Sequence, residues 1–294
     1  MSAGRRYTSC DKVLCVVPLA LLCLMSPKLP TEILERIIDE SHHNLRALID
    51  CSIANRVFVA RSRVHLFRKI TFLPPLTSTG SIYPTGPTRC DRFAELLISN
   101  PDLASHVQEL DIVEGGHPGL IIFWISQSTS LLPILRRLSN LQSFALRYGH
   151  PSEWSDVLRE ALSICMHLPS IDSVELSGLN VESEGELFPI FSGVERTLRY
   201  LRISNLLLPS PSSVIVSSQH LPLQVDTLNV TFHRGSDMER SFINLMLASP
   251  PLISMGALRH LRLTVYHNDL HMIGQWLHKC ADSLEEVELI ITST

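Results

Sequence analysis

Apolar residues recur along this chain at two different spacings, and the change from one to the other divides it. Between residues 29 and 72 they fall at helical intervals, with Leu34, Ile37 and Ile38 at i, i+3, i+4 and Leu45, Leu48 and Ile49 repeating that arrangement. A third set, Ile53, Val57 and Phe58, is followed by Leu66, Phe67, Ile70 and Phe72, which predicts a small bundle of short helices ending in an extended segment. Pro30 suits the first helix start, because its ring fixes φ near the helical value and the N–H it lacks would be unpaired there anyway. Residues 73–90 are rich in Pro, Gly, Ser and Thr, which break helices and remove backbone donors, so they predict a linker or long loop.

Beyond residue 90 a single pattern, apolar residues at x, x+3 and x+5, recurs to the end. Its copies are Val107/Leu110/Ile112, Leu141/Phe144/Leu146, Ile171/Val174/Leu176, Leu198/Leu201/Ile203, Val225/Leu228/Val230, Leu258/Leu261/Leu263 and Leu284/Val287/Leu289. Successive middle residues are 34, 30, 27, 27, 33 and 26 positions apart, close to a leucine-rich repeat period of about 20–29 with insertions. The last two members of each triplet alternate as a strand does, and the first belongs to the turn leading in. Amphipathic stretches between them, including Phe93 to Leu97, Trp154 to Leu168 and Met272 to Leu277, predict the helix of each unit. A single repeat cannot bury its apolar side alone; stacking gives a continuous core with a parallel sheet on one side and helices on the other.

Composition narrows the function classes. Apolar residues make up 45% and charged residues 18% of the 294, with a formal net charge of -4, which opposes disorder and gives no basic excess for nucleic acid. The cysteines (Cys10, Cys15, Cys23, Cys51, Cys90, Cys165, Cys280) are odd in number, scattered and without a Cys-x-x-Cys pair, which fits a reducing cytoplasmic or nuclear compartment. One feature points elsewhere: residues 13–25, Val13 to Met25, form an apolar run preceded by Arg5, Arg6 and Lys12, the outline of a secretory signal or anchor. The run is shorter than the roughly 20 residues that cross a bilayer, and Ser26, Pro27 and Lys28 offer no small-x-small cleavage site. The alternative is a segment packed on the next domain or an extended N-terminus, and no membrane association is expected.

Three stretches carry a resemblance. Leu29-Pro30-Thr31-Glu32-Ile33-Leu34-Glu35-Arg36-Ile37-Ile38, then Leu48-Ile49-Asp50-Cys51-Ser52, then Ser62 to Ile70 (SRVHLFRKI) together resemble the F-box-like domains abundant in mushroom-forming fungi. Phe93 to Pro101 and His106 to Ile112 look like the divergent repeat region of those proteins. The chain departs from the family at Phe58, where a Trp is common; Phe keeps much of the apolar area and loses the indole N–H. The expected architecture is therefore α/β: an N-terminal apolar segment (1–28), an F-box-like small helical bundle (29–72), the linker (73–90), and an irregular leucine-rich repeat solenoid with a parallel sheet (91–294).

What the resemblance implies is a substrate-recruiting adaptor of a Skp1-cullin-F-box ubiquitin ligase, without catalysis or cofactor of its own. Leu29, Pro30, Glu32, Ile33 and Ile37 would face a Skp1-type adaptor and through it a cullin, as an amphipathic helix does in a partner's groove. Glu175, Arg202, Asn229 and Arg262, at variable positions beside the strands, would contact an unidentified protein target. The competing readings are a non-ligase repeat scaffold or interaction protein, and a secreted or anchored repeat protein resting on Val13 to Met25 alone.

Catalytic patterns are not found: the sequence has no Gly-x-Ser-x-Gly elbow, Gly-rich phosphate loop or His-Glu-x-x-His. His267, His271, His278 and Cys280 have a spacing that could converge on one helix side, yet read better as a polar helix face. Arg61, Arg63, Arg68 and Lys69 read as a solvated basic face, and Asp102, Glu109 and Asp111 as surface positions beside a strand.

Overall fold

The computed structural model describes residues 30–74, 88–115, 123–182, 186, 191, 197–207, 222–232, 238–247, 251–266 and 270–292. The Val13 to Met25 run, Leu29, His267 and most of the expected linker lie outside them. The chain is mixed α/β, its strands forming a nine-stranded parallel sheet among the described residues, and it divides into two units between Leu66 and Phe67.

The first unit is built from α1 (Thr31–Glu40), α2 (Leu45–Ala54) and α3 (Arg56–Arg68). Pro30 sits at the N-cap of α1, its carbonyl accepting from the Ile33 and Leu34 amides at 3.0 and 3.3 Å. Asn44 caps α2, its side chain accepting from the Ala47 amide at 3.1 Å and so pairing one of the donors a helix start leaves open. Ile38, Leu48, Cys51 and Phe58 form the core, with Leu34 and Leu66 packed on it. Each apolar set read from the sequence is wider than this core: Ile37, Leu45, Ile49, Ile53 and Val57 remain exposed. Short helices share one small interior, which takes one or two side chains from each and leaves the rest of the apolar stripe outside.

Arg61 departs from the solvated basic face expected of it. Its Nε and Nη2 donate to the two Asp39 carboxylate oxygens at 2.6 and 2.7 Å, and His65 Nε2 lies 2.7 Å from Oδ1. The fork geometry of guanidinium on carboxylate ties the end of α1 to α3. Hydrogen bonds from Arg61 and then His65 hold the Asp39 carboxyl down at about 2.

In the second unit the strands are β1 (Lys69–Phe72), β2 (Glu109–Val113), β3 (Ser143–Arg147), β4 (Ser173–Ser177), β5 (Leu198–Ser204), β6 (Leu223–Thr231), β7 (Ile253–Ser254), β8 (His260–Tyr266) and β9 (Glu286–Thr292). They lie in chain order, with the short β7 paired to the start of β6 beside the main path. The extended segment that closes the helical pattern is thus the sheet's first strand, pairing Ile70 with Leu110 and Phe72 with Ile112. Register aligns the triplets. Their middle members, Leu110, Phe144, Val174, Leu201, Leu228, Leu261 and Val287, form one row, and their last members, Ile112, Leu146, Leu176, Ile203, Val230, Leu263 and Leu289, form another. A one-residue slip at any strand would turn its apolar pair to the opposite face, so burial holds the register.

The helices α4 (Arg89–Ser99), α5 (Trp124–Gln127), α6 (Leu131–Leu135), α7 (Asp156–Met166), α8 (Met238–Leu247) and α9 (Leu270–Cys280) contribute to the same core as the two apolar rows. α4 supplies Phe93 and Leu97, α7 Leu158, Leu162 and Cys165, α8 Phe242 and Ile243, and α9 Ile273 and Trp276. The helices therefore cover one face of the sheet. Each fully buried Leu or Phe stabilises by about 1.5–3 kcal/mol relative to exposure, which is what drives one strand onto the next. Strand β9, at the edge, is the exception: its Val287, Leu289 and Ile291 are exposed.

Two boundaries differ from the sequence reading. Residues 89 and 90 already belong to α4, because Thr88 and Asp91 form a capping box with mutual bonds of 3.1 and 2.8 Å. Trp154 precedes α7, whose N-cap is Ser155, and its indole is buried beside the strand ends instead of on the helix.

Candidate functional site

Two surfaces gather the residues that the sequence singles out, one on each unit. On the first, Pro30, Glu32, Ile33 and Ile37 are all exposed. Ile33 and Ile37, four positions apart on α1 and each 45% exposed, project from one side of the helix. They line a groove of about 570 Å³ together with Arg36, Glu40, Asn44 and Ala47. Phe58 is buried in the core, so its aromatic ring packs the bundle and takes no part in this surface. Arg63 is exposed on α3.

On the second unit the uncovered face of the sheet carries the polar positions of every strand. Glu175, Arg202, Asn229 and Arg262 fall in one hydrogen-bonded row across β4, β5, β6 and β8, which Asp111 and Ala145 extend on one side and Glu288 on the other. Neighbouring charges pair along it. Arg147 Nε lies 3.3 Å from Asp111 and its Nη2 3.5 Å from Glu175, while Arg262 Nε lies 3.2 Å from Glu288. The half-exposed Arg262–Glu288 pair is worth at most about 1 kcal/mol, while the Arg147 pairs with Asp111 and Glu175 are more covered. Arg202 has no ion pair among the described residues. Beside it the Asn229 amide donates to the Tyr200 hydroxyl at 3.1 Å, within a depression of about 390 Å³ lined by Tyr200, Thr227, Asn229, His260, Arg262 and Glu288. The face thus carries donors, acceptors and both charges in register.

Glu109 and Asp111 stand on this face and are engaged by cations, Glu109 by Arg68 at 3.5 Å and Lys69 at 3.8 Å. Asp102 lies apart, exposed in the 3-10 turn Pro101–His106. His271 and His278 are exposed on α9 while Cys280 of the same helix is buried, so these side chains do not converge. Among the described residues no three His, Cys, Asp or Glu side chains stand together as metal ligands. Burial pushes the thiols of Cys90 and Cys280 up to about 11 and that of Cys165 up to about 12, which keeps them protonated and removes thiolate chemistry at these positions.

A residue that sequence reasoning missed is Glu114, directly after β2. Its side chain is 1% exposed. Oε2 accepts from the Trp154 indole and from the His150 amide, both at 3.1 Å, and Oε1 has no hydrogen-bond partner. Burial pushes this carboxyl up to about 7, against the pull of the Trp154 and His150 N–H groups and with a further push from Glu153. Gly149 makes the arrangement possible, since a Cβ there would come within 2.8 Å of the indole. Around this point the strands end alike: Tyr148, Gly178 and Asn205 follow β3, β4 and β5 with φ of 58°, 65° and 54°, turning the chain out of the sheet. Glu114 occupies the matching place after β2, its amide donating to the Arg147 carbonyl at 2.9 Å. Spacing marks the position; nothing local to the sequence says that an indole will close over it.

No described helix is long and apolar enough to cross a membrane. A scan of the chain against protein-family models and a search of curated proteins both find no match, so its function is to be read from its own residues and geometry.

Proposed function

We propose that the chain is a substrate-recruiting adaptor of a Skp1-cullin-F-box ubiquitin ligase, in which the first unit is an F-box-like bundle that docks on a Skp1-type adaptor and the second is an irregular leucine-rich repeat solenoid that holds a protein target. The observation that carries this reading is the apolar surplus of the first unit: Ile33 and Ile37 line an open groove on a helix whose core needs only Ile38 and Leu34. Exposed isoleucines flanked by Pro30 and Glu32 give a partner an apolar anchor with a polar rim. On the second unit, the row Glu175, Arg202, Asn229 and Arg262 offers target contacts on the face that the helices leave uncovered.

The test is co-expression of the chain with a Skp1-type adaptor and co-purification, with Ile33→Asp as the control. A carboxylate forced into an apolar contact costs on the order of 2 kcal/mol or more, roughly a thirtyfold loss of affinity. Because Ile33 is half-exposed in the free chain, the same substitution leaves the fold intact. Binding that Ile33→Asp abolishes supports the adaptor role. A folded chain that captures no adaptor supports the plain repeat scaffold, a reading favoured by Phe58 standing where the family commonly has Trp.

A further inference from the structure

Charges on the uncovered face of the sheet are largely matched to one another, and two that are not stand at opposite ends of one depression. Lys69 pairs with Glu109, Arg147 with Asp111 and Glu175, and Arg262 with Glu288, while His260 stands 3.7 Å from Asp226. Arg202 and Glu286, both exposed, have no ion pair among the described residues. The depression of about 390 Å³ runs from Tyr200 on β5 across β6 and β8 to β9, where Glu286 lines it in register with His260. Arg202 flanks the other end, two residues beyond Tyr200 and in register with Asn229, which lines it. We propose that this depression holds an extended segment of the target with an acidic and a basic side chain four residues apart, the acid seated on Arg202 and the base on Glu286. The inference deepens the target-holding role of the second unit and rests on that reading.

Register sets the spacing. Three strand steps of about 4.8 Å and an offset of two residues, about 6.6 Å, put the two positions roughly 16 Å apart. An extended segment turns every second side chain to the same face, so residues four apart project together over about 13 Å, and the long arms of the paired side chains span the remaining ~3 Å. A spacing of two covers only about 7 Å and one of six about 20 Å, so neither fits as well. The side chain midway between acid and base points into the depression. There the Tyr200 hydroxyl accepts from the Asn229 amide at 3.1 Å and has its own hydrogen left to donate, which favours a hydrogen-bonding residue at that place. Charge selects the occupant: a wholly acidic segment sets a like charge against Glu286 and a wholly basic one against Arg202, whereas the mixed pair matches both. The surrounding pairs are already satisfied by one another, so these two free charges are what remains to discriminate between segments.

The test selects short random peptides displayed on phage against the immobilised full chain, and repeats the selection on Arg202→Glu and on Glu286→Lys, both exposed positions where a new charge leaves the fold intact. Peptides enriched on the wild-type chain are expected to carry one acid and one base four residues apart, in either chain direction. Arg202→Glu is expected to select two bases at that spacing, and Glu286→Lys two acids. By fluorescence anisotropy, a peptide from the wild-type set should lose about fivefold or more in affinity for Arg202→Glu and regain it when its acid is replaced by Lys. Enrichment without this pattern overturns the proposal, as does the same pattern on the wild-type chain and Arg202→Glu, or no enrichment by a chain with an intact circular dichroism spectrum. The same three proteins are co-expressed with a Skp1-type adaptor, whose capture neither substitution should change, since both lie in the second unit. Patterned peptides without adaptor capture leave the segment recognition standing and overturn the ligase reading. Adaptor capture without patterned peptides does the reverse.

Discussion

Replacing Glu114 with Gln tests how the strand ends of the second unit respond to pH. The carboxyl has its ordinary value of 4.5 in the unfolded chain and about 7 in the fold, where desolvation dominates. A raised acid favours the fold fully below the unfolded value, and that contribution is lost as pH rises through the folded one. The difference of about 2.5 units corresponds to about 3 kcal/mol, lost between about pH 4.5 and pH 7 and fully absent at pH 8. Gln keeps the oxygen that Trp154 and His150 address and cannot ionise; its amide N–H groups meet the same partnerless side as Oε1, at a cost of about 1 kcal/mol. Glu114→Gln is therefore expected to be about 2 kcal/mol more stable than wild type at pH 8 and no more stable at pH 5. The assay is urea unfolding at pH 5, 6, 7 and 8 followed by tryptophan fluorescence, which reports the second unit because Trp124, Trp154 and Trp276 all belong to it. With a slope of about 2 kcal/mol per molar urea, the midpoints should separate by about 1 M at pH 8. Other groups titrate equally in both proteins, so the difference isolates residue 114. Parallel pH dependence in the two proteins would refute the reasoning.

Two further substitutions probe the frame that carries the surfaces. Gly178→Ala puts a side chain at φ 65° and a Cβ 2.5 Å from the Tyr148 ring; a loss of about 1–2 kcal/mol in the urea midpoint is expected, and an unchanged midpoint would show that the turn relaxes freely. Asp39→Asn removes the charge that Arg61 and His65 share. Since the Asp39 side chain is about a third exposed, the expected loss is only about 1 kcal/mol at pH 7, measured on the full chain by helix circular dichroism. The depressed carboxyl contributes above the ordinary acid range and loses that contribution as pH falls towards about 2, so wild type and variant should converge near pH 2.

The order of elements was open to reading because it depends on local periodicity. The Leu-x-x-Leu-x-Leu spacing places Leu201 and Ile203 on the buried side of β5 and Arg202 between them on the other, and the same arithmetic holds for Glu175, Asn229 and Arg262. Alternation in a strand needs no knowledge of the neighbouring strand, and the same triplet spacing within every unit, whatever the length between units, lets the rows align. The helical stretches followed from the same kind of evidence, with errors of about two residues at Thr88 and Trp154 where a cap or a long-range contact decides the boundary.

Tertiary structure alone decided which of the periodic positions are buried and which polar groups meet. Ile37 and Ile38 are adjacent and chemically identical, yet one is exposed and the other closed in the core, because the number of apolar positions exceeds what three short helices can enclose. Asp39 and Arg61 are 22 positions apart, and Glu114 and Trp154 are 40 apart. No local pattern announces either pair; each exists because packed elements bring distant side chains within hydrogen-bond reach. The sequence by itself determined the elements, their order and the faces of the strands, since these follow from spacing along one chain. The folded chain determined the groove on α1, the pairing of charges across the sheet and the buried acid at its strand ends, since these depend on distances between residues that spacing does not relate.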